Sequence, residues 1–224
     1  MNVDEAILSR RSVRGFLPKP VPRPTVAEIL EVATRAPSGT NIQPWQVYAC
    51  SGAVRDALVA EVVALFEANS PAHRAETESY PDGLPEPYRG RRRKVGWDLY
   101  SLLGVEKGDR EAGRRQHANN FRFFGAPVGL FFFVDRVIES GSRLDYGMFI
   151  ENVMLAARGR GLDTCPQAAW RRFHEPVRRH LGVPGDLALV CGMSLGYADA
   201  GAPANQLRTE REPVEGFARF RGFE

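Results

Sequence analysis

The sequence predicts a mixed fold in which amphipathic helices cover a small buried sheet. Three observations point to it. Val128 to Asp135 is apolar on both faces, as a central strand covered from two sides must be. Leu187 to Gly192 has the same character and continues as Met193-Ser-Leu-Gly-Tyr197. Before and between these runs, apolar residues recur at three- and four-residue intervals, which buries one side of a helix. At 224 residues, 43% hydrophobic and 25% charged, the chain is ordinary for one sizeable folded domain or at most two small ones.

The elements follow in order. A first helix is expected from Val3 to about Arg11, burying Val3, Ala6 and Ile7 and ending before Gly15. Pro18, Pro20, Pro22 and Pro24 force an extended connector. Thr25 with Glu28 fits a capping box, opening a helix that buries Val26, Ile29, Leu30 and Ala33 and stops at Pro37. The turn Ala36-Pro-Ser-Gly-Thr-Asn-Ile-Gln-Pro-Trp45 delivers the chain into a strand, Gln46 to Cys50. Ala53 to Ala68 reads as a helix with Val54, Leu58, Val62 and Leu65 inward.

The rhythm breaks over 70–108, where Pro71, Pro81, Pro85 and Pro87 precede a basic run, Arg89 to Lys94, and then Trp97, Leu99 and Tyr100. A long irregular segment followed by an amphipathic one suits a lid over an active site. Glu111 to Phe124 is expected as a helix. Arg143 to Arg160 is the longest helix, apolar nearly all round and therefore central. Leu162 to Trp170 crosses to a short helix, Glu175 to Leu181, and the tail from Ala198 is loop-rich.

Composition excludes several classes. With 30 basic and 27 acidic residues, the net charge of +3 gives no argument for a nucleic-acid or membrane partner. No apolar run reaches the roughly 18 residues of a membrane span, and the acidic start Met1-Asn-Val-Asp-Glu5 lacks the marks of a signal peptide, so a cytoplasmic protein is expected. Cys50, Cys165 and Cys191 form no C-x-x-C pair and read as buried thiols. The four histidines have no metal-ligand spacing, so no metal is expected. Walker, G-x-G-x-x-G and G-x-S-x-G motifs are absent, which removes the usual nucleotide and hydrolase readings.

What remains is a set of dispersed polar points. Arg10, Arg11 and Arg14 beside Ser12 offer fork-shaped donors that could hold a phosphate, although cations also simply suit the negative end of a helix dipole. The Ser38 to Asn41 turn, Asn119 with Arg122, the Pro166 to Ala168 turn, and Arg208 with Arg211 complete the set. A ligand with a phosphate at one end and a planar heterocycle at the other would use all of them.

Four motifs in order, Arg10-Arg-Ser-Val-Arg14, Ala36-Pro-Ser-Gly-Thr-Asn-Ile-Gln-Pro-Trp45, Gly161-Leu-Asp-Thr-Cys-Pro-Gln167 and Gly192-x-x-x-Gly196-Tyr, resemble the FMN-dependent nitroreductase family from about Val3 to Pro213. The resemblance implies an α+β fold around a mostly antiparallel sheet flanked by helices, in an intertwined homodimer with flavin sites across the interface. It implies a single domain over residues 1–224, with a lid insert at about 70–108. It places Arg10, Arg11, Ser12 and Arg14 at the FMN phosphate and ring edge. Pro37, Ser38, Gly39 and Asn41 would come from the other subunit. Asn119 (or Asn120) and Arg122 would contact the flavin. Pro166, Gln167 and Ala168 would line the ring, with a backbone N–H near Ala168 facing flavin N5, and Arg208 and Arg211 would return to the phosphate. Some members have Glu-Gly where Ala168-Ala169 stands here, a change that a main-chain contact tolerates.

The implied activity is two-electron, ping-pong transfer from NAD(P)H to nitroaromatic or quinone-type acceptors, without a catalytic side chain. Donors around the pyrimidine edge stabilise the charge of a reduced flavin. Tyr88, Arg92 (or Arg91), Trp97 and Tyr100 are candidates for holding a small aromatic acceptor. Two alternatives stay open: a lid-equipped reductive dehalogenase resembling iodotyrosine deiodinase, with Glu86, Tyr88 and Lys94 gripping a zwitterion, and a flavin-binding protein without turnover.

Overall fold

The computed structural model describes residues 1–69, 72–76, 80–81 and 83–223. Ser70 and Pro71, which open the expected lid insert, lie outside the described residues. Four strands, β1 (Gln46–Ser51), β2 (Val128–Asp135), β3 (Asp163–Gln167) and β4 (Leu187–Gly196), form one antiparallel sheet in the order β1-β2-β4-β3. Around it lie α1 (Val3–Ser9), α2 (Arg23–Ala33), α3 (Gly52–Glu67), α4 (Tyr88–Leu102), α5 (Arg110–Ala118), α6 (Arg143–Gly159), α7 (His174–Leu181) and the short α8 (Val214–Phe217).

The two apolar faces of β2 explain the layers. Phe131 and Phe133 join a cluster with Leu58, Val62 and Phe66 of α3, Val177 of α7 and Trp170. Leu130, Phe132 and Val134 point the other way, into a cluster with Ile29 of α2 and Phe149 and Val153 of α6. Alternation along one strand thus feeds both cores, which is why no polar residue interrupts it.

Two strand glycines make room for an aromatic plate. Phe123 and Trp170 stack with centroids 4.7 Å apart. A Cβ at Gly129 would sit 2.3 Å from Cζ of Phe123, and one at Gly192 would sit 2.5 Å from Cδ1 of Trp170. The rings therefore lie directly on bare backbone.

Several boundaries differ from the sequence reading. The capping box belongs to α1, where Asn2 Oδ1 accepts the Glu5 N–H and Glu5 accepts the Asn2 N–H, both within 2.9 Å. That helix ends at Ser9 and buries only Ala6, leaving Val3 and Ile7 exposed. Thr25 caps nothing; α2 begins at Arg23 because Pro22 and Pro24 pre-set its first turn. In α3 the buried set is Leu58, Val62 and Phe66, with Val54 exposed. The helix expected to reach Phe124 stops at Ala118, since Phe123 and Phe124 turn left-handed at φ 51° and 52°. Asp163 to Gln167, read as a crossing turn, is the edge strand β3. All three cysteines are buried, as expected.

Candidate active site

The outer edge of β3 receives the N-terminal segment. Ser12 makes a parallel bridge with Thr164, and the Val13 N–H donates to the Thr164 carbonyl at 3.0 Å. The C-terminal tail then crosses the same segment through Asn205, which is 2% exposed. Its Oδ1 accepts the Arg14 N–H at 2.7 Å, and its Nδ2 donates to the carbonyls of Gly15 at 2.7 Å and Asp199 at 2.8 Å. Arg208 Nη1 donates to the Asn205 carbonyl at 2.9 Å. Both ends of the chain are thereby held side by side.

Between them lies a cavity of about 590 Å³ lined by Arg10, Arg11, Ser12, Arg14, Arg208 and Arg211, the six residues that the family resemblance places at the FMN phosphate or the ring edge. Arg158 of α6 and Val95 of α4 also face it. Arg10 Nε lies 3.6 Å from Glu151, while Arg158 donates to Ser9 Oγ at 3.0 Å and to Asp163 at 3.1 Å. Burial pushes the Arg11 guanidinium below its usual value and neighbouring Arg208 pushes it further, against the pull of Asp163. Burial likewise raises the Asp163 carboxyl, which Arg158 and Arg11 oppose. The Arg11 Nε is buried with no hydrogen-bond partner. An excess of cations with an orphaned donor is a site shaped for an anion bearing several acceptor oxygens, and a phosphate monoester meets that description.

The other expected residues lie outside the lining of this cavity. Gln167 is buried and committed, accepting from Ser194 Oγ at 2.9 Å and donating to the Asn120 carbonyl, whereas Pro166 is half-buried and Ala168 exposed. Asn119 and Arg122 line a separate cavity of about 530 Å³. There Asn119 Nδ2 donates to Gln116 at 3.0 Å and Arg122 pairs with Glu67 at 3.4 Å. Within one chain these two do not join the arginines.

The Pro37 to Asn41 turn is fixed against α6. The Gly39 N–H donates to Asp145 at 3.3 Å, the Gln43 N–H donates to Ser38 Oγ at 3.0 Å, and Trp45 stacks on Phe149 at 4.7 Å. Thr40, Asn41 and Gln43 all take left-handed conformations, with φ of 49°, 60° and 50°, a concentration of strain typical of functional loops. Pro37 lines an open hollow of about 500 Å³ beside Leu144, Gly147 and Glu151 on the uncovered stripe of α6. Glu151 borders both this hollow and the arginine cavity.

On the far side of α4, Arg92, Trp97 and Tyr100 line a cavity of about 830 Å³ closed by α5 and Phe66, while Tyr88 lies outside that lining and is exposed. Glu86 accepts from Arg89 Nε and the Gly90 N–H, both at 2.9 Å, and Lys94 donates to Asp98 at 2.7 Å. Two of the three residues expected to grip a zwitterion, Glu86 and Lys94, are thus spent on local partners.

Sequence reasoning missed Arg158 and Asn205. Arg158 had a visible signal, a cation in the last turn of an otherwise apolar helix; Asn205 in the loop-rich tail had none. Among the described residues no group of His, Cys, Asp and Glu could hold a metal ion, and no helix is long and apolar enough to cross a membrane.

A family model described as the nitroreductase family matches residues 7–197. A 4-nitrobenzoate reductase of Pseudomonas putida is 43% identical over 222 residues, covering 99% of this chain and 96% of that protein. A chloronitrobenzene nitroreductase of Comamonas testosteroni is 41% identical, covering 97% and 96%. Among solved structures, an FMN and NADPH-dependent nitroreductase NfnB from sphigopyxis sp. strain HMH superposes over 100% of both chains at a TM-score of 0.95 and 37% identity. With the antiparallel sheet and the arginine cavity in place, these likenesses are decisive: the chain belongs to the nitroreductase family.

Proposed function

We propose that this chain is an FMN-dependent enzyme that reduces nitroaromatic or quinone-type acceptors with electrons from NAD(P)H. The observation that carries the reading is the single cavity gathering Arg10, Arg11, Ser12, Arg14, Arg208 and Arg211 around an orphaned buried donor. When bound there, FMN supplies two-electron chemistry, accepting hydride from a nicotinamide and passing electrons to an acceptor. Arg11, Arg14, Arg208 and Arg211 hold the phosphate. Arg10, Ser12 and Arg14 would also meet the polar edge of the ring, and Pro166 with the backbone N–H near Ala168 would line it. No side chain is needed to move a proton.

A homodimer accompanies this reading. Support comes from the apolar residues left exposed on α1 and α6 and in the tail, among them Val3, Leu8, Leu144, Phe217 and Phe220. The Pro37 to Asn41 turn lies beside the uncovered stripe of α6, where a second copy would bring it to the partner's flavin. Asn119 and Arg122, apart from the arginines in one chain, are assigned the same cross-subunit role. We further read the chain as one domain whose 70–108 segment, built on α4, is a lid.

The test is anaerobic. NADPH or NADH added to the FMN-loaded protein should bleach the flavin band at about 450 nm, and a nitroaromatic should restore it. Steady-state double-reciprocal plots should be parallel. A band that never bleaches would leave only a flavin-binding protein without turnover, and a monomer by light scattering would remove the interface assignments.

A further inference from the structure

Core burial does not anchor α4, since none of its 15 residues is buried. Two of its cations reach across to the C-terminal tail instead: Arg91 pairs with Glu212, and Lys94 lies 3.4 Å from Glu210. Asp98 accepts from Lys94 at 2.7 Å and keeps the ammonium on that side of the helix. Arg91, Lys94, Val95 and Asp98 follow at three- and four-residue spacing and so share one face. On the same face, Val95 lines the arginine cavity together with Leu207, Arg208, Thr209 and Arg211. Arg211 thus stands in the chain between the two glutamates that α4 holds. Its own hydrogen bonds among the described residues reach only Thr209 and Glu210.

We propose that Arg91 and Lys94 clasp Glu212 and Glu210, that this clasp holds Arg211 at the cofactor cavity, and that its opening sets how fast FMN leaves. The proposal rests on the FMN reading and gives these four side chains a positioning role toward the cofactor. A cation helps to bind a phosphate only after its side chain and backbone have lost their freedom, and that ordering subtracts from affinity. A tail fixed from outside the cavity has less left to order when the phosphate arrives. Each ion pair is exposed and weak by itself, which suits a part that must open for exchange.

Exchanging the charges across the clasp tests this without turnover. FMN release is followed as the gain of flavin fluorescence when the FMN-loaded protein is diluted, and the freedom of the tail as amide hydrogen exchange over 207–213 in the apoprotein. Glu210→Lys/Glu212→Arg should speed FMN release about threefold to tenfold, and Arg91→Glu/Lys94→Glu should do the same. A change of local charge alone predicts otherwise: the first pair adds cations near a phosphate and would slow release, whereas the second adds anions and would hasten it. The fourfold variant, with the charges exchanged, should return both release and tail exchange to within about twofold of wild type. Opposite effects of the two reversals on release, no effect of either, or a fourfold variant whose tail stays unprotected would overturn the proposal. If the wild type took up no FMN, the cofactor reading would fall and the proposal with it; normal uptake with unmoved release rates would remove the proposal alone.

Discussion

Asn205→Ala is the most informative substitution. The side chain makes three hydrogen bonds of 2.7 to 2.8 Å and is almost wholly buried, so truncation strands the Arg14 N–H, while the carbonyls of Gly15 and Asp199 keep the backbone N–H groups of Asp199 and Ala202. A stranded buried polar group costs about 1–3 kcal/mol, so the loss should be about 2 kcal/mol. At this chain length that corresponds to a fall in Tm of about 6 °C. Arg14 and Arg208 both hang on Asn205, so the Kd for FMN should rise about tenfold as the arginine cavity loosens. Urea unfolding of the apoprotein and fluorescence titration with FMN read the two effects separately. Asn205→Asp should be worse than Ala, because it sets a carboxylate against two carbonyls. An Ala variant within about 0.5 kcal/mol of wild type and with unchanged FMN affinity would refute the idea that this residue clamps the site.

Three further outcomes are expected. Arg11→Met should weaken FMN binding about tenfold to a hundredfold while leaving the apoprotein as stable or more so, because it removes a desolvated, partly unpaired cation beside Arg208; paired melts with and without FMN check it. Gly129→Ala should cost about 1–3 kcal/mol in urea unfolding, since the new methyl meets a Phe123 ring already stacked on Trp170. Acid should destabilise the fold through two carboxylates. The hydrogen bond from His180 holds Glu61 below its usual range; for Glu76, burial pushes upward but Arg136, His174, the Leu189 N–H and Arg178 outweigh it. Because both folded values are depressed, their stabilisation is present above the ordinary carboxylate range and is lost as pH falls below that range through the folded values. Glu61→Gln and Glu76→Gln should therefore show a shallower loss of Tm between neutral and acid pH than the wild type.

How much of this was legible depended on how local the cause was. The strands β2 and β4 could be read because each must be apolar on both faces. The arginine cavity could be read because its donors come as a short cluster and a C-terminal pair. The end of α5 could not, since Phe123 and Phe124 turn left-handed where Phe123 packs onto Gly129, a contact between different elements. The strand β3 hid behind Pro166, which breaks strand patterns but is tolerated on an edge. Asn205 acts on Arg14, 191 positions away, where no sequence window carries a signal, and the cation of Arg158 is visible in its helix while its partner Ser9, 149 positions away, is not.

Because the arginine cavity is lined by residues just after α1 and by Arg208 and Arg211 of the tail, it comes into being only once both segments have been made. A nascent chain lacking Arg208 can pair its sheet but has no finished berth for a phosphate, so cofactor uptake must follow synthesis of that segment. Proteolysis just before Arg208 would then yield a folded but colourless protein, and flavin content would report whether that segment is intact.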